Sequence, residues 1–317
     1  MEQTVQIVNQ IFPVLFFIAL GYWIRRSAFI LETTIEELRK VVVNLGLPAV
    51  LFVSFLNIEL EPSYFFFFVF TFSLCILLLL MGAGLQRVFG IEFPYFPYLI
   101  TGFEYGMLGV SLFGGAFGLE NIGYIAVVDL GHEIFIWFVF LPLLLMKRDA
   151  VQRPVEIARS FFSSPVVLAI IASIIFNIIG ASTWLYEGLF TGGLMAVFDF
   201  LGRLTIPLIL IVVGYGIKID RQGLGIALIV VIVRLCILIP LALLVNQHLV
   251  RGFYHLDRLF ETALFSLLIL PPPFIVPLYA RSNLRNEESR FINNTLTIHT
   301  VFSVIVFLIY FALRPAI

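Results

Sequence analysis

From Ser63 to Gln86 the chain reads SYFFFFVFTFSLCILLLLMGAGLQ, without one charged side chain. A run of that length and composition has few folding options. In lipid, every backbone N–H and C=O must find a partner within the protein, which leaves a helix or the strand of a closed barrel. No period-2 alternation runs along it, so a helix is expected. Spans of about 20 apolar residues recur along the chain, and ten helices are predicted near 5–24, 41–58, 63–86, 94–116, 122–146, 163–180, 200–217, 223–245, 259–280 and 295–313. Hydrophobic residues make up 61% of the 317, charged residues only 12%, and the mean hydropathy is +1.07. Almost nothing is left over for a water-soluble domain. The expected fold class is therefore an all-α, multi-pass integral membrane protein.

The opening segment, MEQTVQIVNQIFPVLFFIALGYWIRR, resembles a secretory signal only superficially. A signal carries basic residues before its apolar core, whereas here Glu2 comes before and Arg25–Arg26 after. A retained first helix is expected. Basic residues then orient the spans. Arg25, Arg26, Arg39, Lys40, Arg87, Lys147, Arg148, Arg153, Arg159, Lys218, Arg221, Arg281, Arg285 and Arg290 fall in alternate loops, against Arg251, Arg258 and Arg314 in the others. The positive-inside rule places the first set in the cytoplasm and both termini outside a plasma or inner membrane. The acidic and basic residues of 32–40 read as a solvated connector, and 183–199 as a short interfacial piece. The balance of 19 basic and 20 acidic residues gives no basis for a nucleic-acid partner. Cys75 and Cys236 lie in apolar runs and read as plain thiols.

The two halves of the chain, 1–149 and 150–317, echo one another. NLGLPAVLFV (44–53) aligns with RLTIPLILIV (203–212), SLCILLLL (73–80) with RLCILIPL (234–241), and HEIFIWFVFLPLLL (132–145) with HTVFSVIVFLIYFA (299–312). Each match pairs helix n with helix n+5. Five helices per half is odd, so the second half enters from the opposite face, giving a 5+5 inverted repeat, the ground plan of many secondary transporters.

Within that plan the polar residues in the spans draw attention. Pro48 and Pro207 each free a carbonyl one turn earlier, where Asn44 and Arg203 share the same face. Together they make a hydrogen-bonding pocket, or else a harmless kink with Arg203 snorkelling to the outer interface. Helix 4 carries Glu104 and glycines at 102, 106, 109, 114, 115 and 118; helix 9 carries Pro271, Pro272, Pro273 and Pro277. Three consecutive prolines cannot sit inside a regular helix. Two interrupted helices at corresponding positions point to a transport site; the alternative is that helix 9 simply starts or stops there. Helix 5 places Asp129, His132 and Glu133 on one side at i, i+3 and i+4, either as groups exchanging protons or as a structural ion pair of Asp129 with Arg234 in helix 8. A zinc-protease reading of HEIFI fails because position 136 is Ile. His299 matches His132 in the repeat and either shares its role or bonds a backbone carbonyl; His248 and His255 read as solvated.

The stretches PVLFFIALGYWIRR, NLGLPAVLF, FEYGMLGVSLFGGAFG, SPVVLAIIASIIFNIIG, LGRLTIPLILIVVGYGIKI and LPPPFIVPLYARSN, in this order, resemble the auxin efflux carrier family of plant PIN-type and bacterial malate-permease-like proteins. The resemblance implies an elevator-type (NhaA-like) homodimer. Helices 1, 2, 6 and 7 would form the scaffold and dimer surface, helices 3–5 and 8–10 a moving domain, and helices 4 and 9 would cross at the substrate. The family often has an Asn in helix 4 followed by Gly-aliphatic-Pro. Here Glu104 and Tyr105 take the first place, and Val110–Ser111 the second.

The expected function is a non-enzymatic carrier for a small organic anion such as a carboxylate. Asn44, Pro48, Glu104, Tyr105, Ser111, Arg203, Pro207 and Pro271–Pro273 are the substrate-binding candidates. Glu104, Asp129, His132, Glu133, Arg234 and His299 are the coupling candidates. No cofactor or metal centre is expected beyond a coupling H⁺, with Na⁺ held by Glu104 and Asp129 as the alternative, and uniport a further one. A membrane receptor on the same fold predicts saturable binding without flux; an enzyme built on Asp129, His132 and Glu133 predicts turnover, and no nucleophile or full metal set supports it.

Overall fold

The computed structural model describes residues 2–58, 61–149, 155, 159, 161–218, 223–280 and 286–313. It is 84% helix, with no strand among the described residues. The helices are α1 (Glu2–Arg26), α2 (Glu32–Asn57), α3 (Ser63–Val88), α4 (Phe96–Ile100), α5 (Val110–Phe117), α6 (Leu119–Lys147), α7 (Pro165–Ile178), α8 (Ser182–Glu187), α9 (Thr191–Gly216), α10 (Leu224–Val250), α11 (Arg258–Leu268), α12 (Ile275–Ala280) and α13 (Asn286–Leu313). Among the described residues six helices, α2, α3, α6, α9, α10 and α13, are long and apolar enough to cross a membrane.

Ten such spans are not found among the described residues. The stretches 94–116 and 259–280 are interrupted, and α7 begins at Pro165 and ends after 14 residues. Several boundaries also move. The presumed connector 32–40 is helical and forms the start of α2, where the half-buried pair Glu36–Arg39 and the exposed pair Glu37–Lys40 support it. The nine residues before Phe200 belong to α9 rather than to an interfacial piece, and α13 starts in the polar segment NEESRFINN. The expected loop 147–162 lies largely outside the described residues.

The chain forms two compact units that interleave in sequence. The first holds Met1–Leu60, Gly106–Ala126 and Ser160–Ile217, so it takes in expected helices 1, 2, 6 and 7 together with 106–126. Its helices approach closely where side chains vanish. A Cβ on Gly21 of α1 would meet the backbone of Ile211 and Tyr215 in α9, and a Cβ on Gly214 of α9 would meet the backbone of Ile18 in α1. Small residues let apolar helices approach closely enough for dispersion to hold them together in lipid. Helix ends are capped across the unit. Arg25 Nη1 donates to Tyr215 O (3.1 Å), and Asn177 Nδ2 of α7 lies 2.8–3.0 Å from the carbonyls of Phe55, Leu56 and Ile58 at the end of α2.

The second unit holds Glu61–Tyr105, Val127–Arg159 and Lys218–Ile317. Gly131 of α6 lies on the Phe68 carbonyl and Thr71 hydroxyl of α3, and Gly82 of α3 lies on Pro97 of α4. The Phe265 and Tyr310 rings stack with centroids 3.7 Å apart, joining α11 to α13. Arg251 holds Glu261 through two bonds of 2.9 and 2.6 Å beside the start of α11, whose first turn Asp257 caps by accepting from Phe260 N.

Candidate functional site

Two places in the second unit depart from helical geometry. α4 stops at Ile100: Thr101 is extended (φ −112°, ψ 151°) and its hydroxyl caps Pro97 O at 2.8 Å. Gly102 follows at φ +74°, where a side chain is strained. Space forbids one too, since a Cβ would lie 2.8 Å from Pro273 Cγ and 3.3 Å from His132 Nε2. α11 stops at Leu268 because Pro271, Pro272 and Pro273 supply no amides, and a residue preceding proline is pushed out of helical geometry. All three prolines are buried.

Interrupted helices leave backbone groups that must bond somewhere, and here each interruption answers the other. Glu104 N donates to Pro271 O (2.8 Å), and the Glu104 carboxylate accepts Phe274 N (2.5 Å). Four further carbonyls go to side chains. Arg234, fully buried on α10, donates through Nη1 to Ile100 O (2.6 Å) and through Nη2 to Gly102 O and to Leu270 O (3.1 Å). Ser303 Oγ of α13 donates to Ile269 O (2.5 Å), and His299 Nδ1 lies 3.0 Å from that hydroxyl. His299 is therefore a supporting residue here, one step removed from the backbone carbonyl.

Beside the first interruption, α6 contributes a second chain of bonds. Phe103 N donates to His132 Nε2 (2.9 Å), and His132 Nδ1 lies 2.7 Å from Asp129 Oδ1. Because Nε2 accepts, Nδ1 must carry the proton and donate to the carboxylate. Both residues are buried. Glu133, half-buried, accepts from Trp137 Nε1 at 2.8 Å. Ligand atoms of Asp129, His132 and Glu133 come within 4.8 Å of one another. Both imidazole nitrogens are already spent on hydrogen bonds, so the trio does not offer a metal the ligand it would need most.

One expectation is corrected, and the other candidates take their places. Asp129 and Arg234 are not an ion pair: Asp129 is bonded to His132, and among the described residues Arg234 has no carboxylate within ion-pair distance. The guanidinium fork suits carbonyls as well as carboxylates. Ser111 is buried and its hydroxyl turns back to Met107 O (2.6 Å) in the preceding turn. Asn44 is exposed and likewise donates to Lys40 O (2.8 Å). Pro48 follows a wider π turn at Val42–Gly46, across which α2 stays continuous. Pro207 lies inside continuous α9 and Arg203 is exposed. These five residues belong to the first unit. Tyr105 is buried, its hydroxyl without a partner among the described residues.

Phe103, Phe274 and Ser303 had not been singled out, the first two because their bonds use main-chain amides. Gly102 carried the one sequence signal, a glycine inside an apolar run two residues before Glu104.

No protein-family model matches the chain, and no curated protein matches it. The likeness to auxin efflux carriers rests on the sequence motifs alone.

Proposed function

We propose that this protein is a secondary transporter that moves a small organic anion across a membrane by alternating access. The single observation carrying the reading is the mutual bonding of residues 101–104 and 269–274: two interrupted helices meeting inside an apolar, all-helical unit. Irregular backbone at membrane depth is tolerable where it is buried in protein or lines a cavity, and carriers put their substrate sites at such places. Buried ionisable groups cluster there too, namely Glu104, Asp129, His132 and Arg234, and such groups are expensive within a membrane unless they serve the transport path.

The finer plan is part of the proposal. α1, the short α7 and the two interrupted segments, taken with the six long helices, make ten crossings in a 5+5 inverted repeat. Following the resemblance, the protein works as an elevator-type homodimer, with expected helices 3–5 and 8–10 as the moving part. Glu104 and the Asp129–His132 pair are the groups that would carry a coupling proton.

Flux tests this. Purified protein in proteoliposomes, given an inward pH gradient and radiolabelled carboxylates, is expected to accumulate at least one of them above protein-free vesicles. Saturable binding with no flux under any imposed gradient points instead to a receptor and overturns the reading.

A further inference from the structure

The carbonyls of Ile100, Gly102 and Leu270 come from the two interrupted segments and converge on one spot. Ile100 ends α4, and Leu270 lies just past the end of α11, so the negative ends of two helix dipoles point there. Oxygens converging from unwound backbone and half-helix C-termini are what carriers use to hold a small cation. In this protein a side chain already stands among them. We propose that Arg234 is a built-in cation: its guanidinium fills the carbonyl cage at the crossing that a sodium ion would otherwise occupy, and it sets the protein's independence of Na⁺.

Three observations support the assignment. Arg234 is fully buried, so its charge is compensated by protein and not by water. Its partners are dipoles, not a counter-ion: three carbonyls, and the face of the Phe103 ring, whose centroid lies 5.2 Å from Cζ. The carboxylate expected to neutralise it, Asp129, is committed to His132 instead. Arginine is also the residue suited to the task, since its fork reaches oxygens on both segments at once and it keeps its charge in apolar surroundings. A tethered cation cannot be loaded or released, so no sodium gradient can be spent through this cage. As a statement about coupling the inference rests on the carrier reading; as a statement about the cage it does not.

Thermal melting of the detergent-purified protein separates the two. In buffers of equal ionic strength made with Na⁺, K⁺ or N-methylglucamine, the wild-type midpoint is expected to agree within about 1 °C. Arg234→Ala is expected to melt lower, and to regain about 3 °C or more when Na⁺ or millimolar methylguanidinium is added, because a ligand of the folded state raises its stability by mass action. A wild-type midpoint that rises in Na⁺ relative to K⁺ overturns the proposal, as does an alanine variant that no cation stabilises. Where Arg234→Ala does not fold, Arg234→Gln is read by the same criteria. Absence of uptake in proteins that pass these melting tests counts against the carrier reading and leaves the cage intact.

Discussion

His132 Nδ1 sits 2.7 Å from Asp129 Oδ1, with the imidazole's other nitrogen accepting the amide of Phe103. An acid on α6 is thereby connected, through one ring, to the backbone of the interrupted segment after α4. Any change in the proton held at Asp129 is felt where the chain leaves helical geometry, which makes this pair the first place to intervene.

Asp129→Asn keeps an oxygen to accept from His132 and removes the charge. The variant is expected to fold, with a melting midpoint within a few degrees of wild type, and to lose uptake driven by a pH gradient. Exchange of substrate across vesicles with no gradient is expected to survive. Retained pH-driven uptake would move the proton to another group.

His132→Leu is the harsher change. It orphans the Phe103 amide and strips a buried carboxylate of its partner, at a cost of roughly 3–5 kcal/mol. Chemical denaturation in detergent should show it, alongside His132→Phe as a control that preserves ring volume and loses the same two bonds. Equal losses in both variants point to the bonds; a much smaller loss with Phe points to packing.

Gly102→Ala tests the interruption itself. Positive φ alone makes alanine unfavourable by about 1 kcal/mol, and the added methyl would press on Pro273, so a total of about 2–4 kcal/mol is expected. The same substitution at Gly84, where a Cβ meets nothing, should be neutral or mildly stabilising. Comparing the two melting curves checks the contrast.

Glu104→Gln leaves an acceptor for the Phe274 amide but a neutral one, and charge-assisted bonds are about twice as strong as neutral ones. A loss near 1 kcal/mol is expected, against about 1–3 kcal/mol for Glu104→Ala, which leaves that amide bare. Denaturation midpoints of the pair rank the two; equal midpoints would mean the carboxylate does not hold the segment.

In the first unit, Gly214→Val should separate α1 from α9, since no rotamer moves a Cβ away from the Ile18 backbone. A loss of about 1–3 kcal/mol is expected from overpacking. Crosslinking yield between cysteines placed on α1 and α9 reports the separation directly.

The sequence disclosed some of this and concealed the rest for definite reasons. Long uncharged runs without period-2 alternation showed the helices, because the other way to satisfy a backbone in lipid, a closed barrel, needs that alternation. The proline triplet and Gly102–Glu104 marked where two of them fail. Periodicity put Asp129 and His132 on one face of α6, and the structure bonds them. What opposes a given face is another matter, and the pairing of Arg234 with Asp129 failed on that: carbonyls freed by proline and glycine have no letter in the sequence. The bonds made by Ser111 and Asn44 were hidden for a related reason. A short polar side chain in an apolar helix can turn onto its own preceding turn, and nothing in spacing alone distinguishes that from an outward role.

The bond from Glu104 N to Pro271 O joins main-chain atoms only. Apart from proline at 104, no single replacement can delete either partner, so the joint persists while neighbouring side chains vary. Descendants of such a chain can redecorate the surrounding walls and keep the same seam throughout.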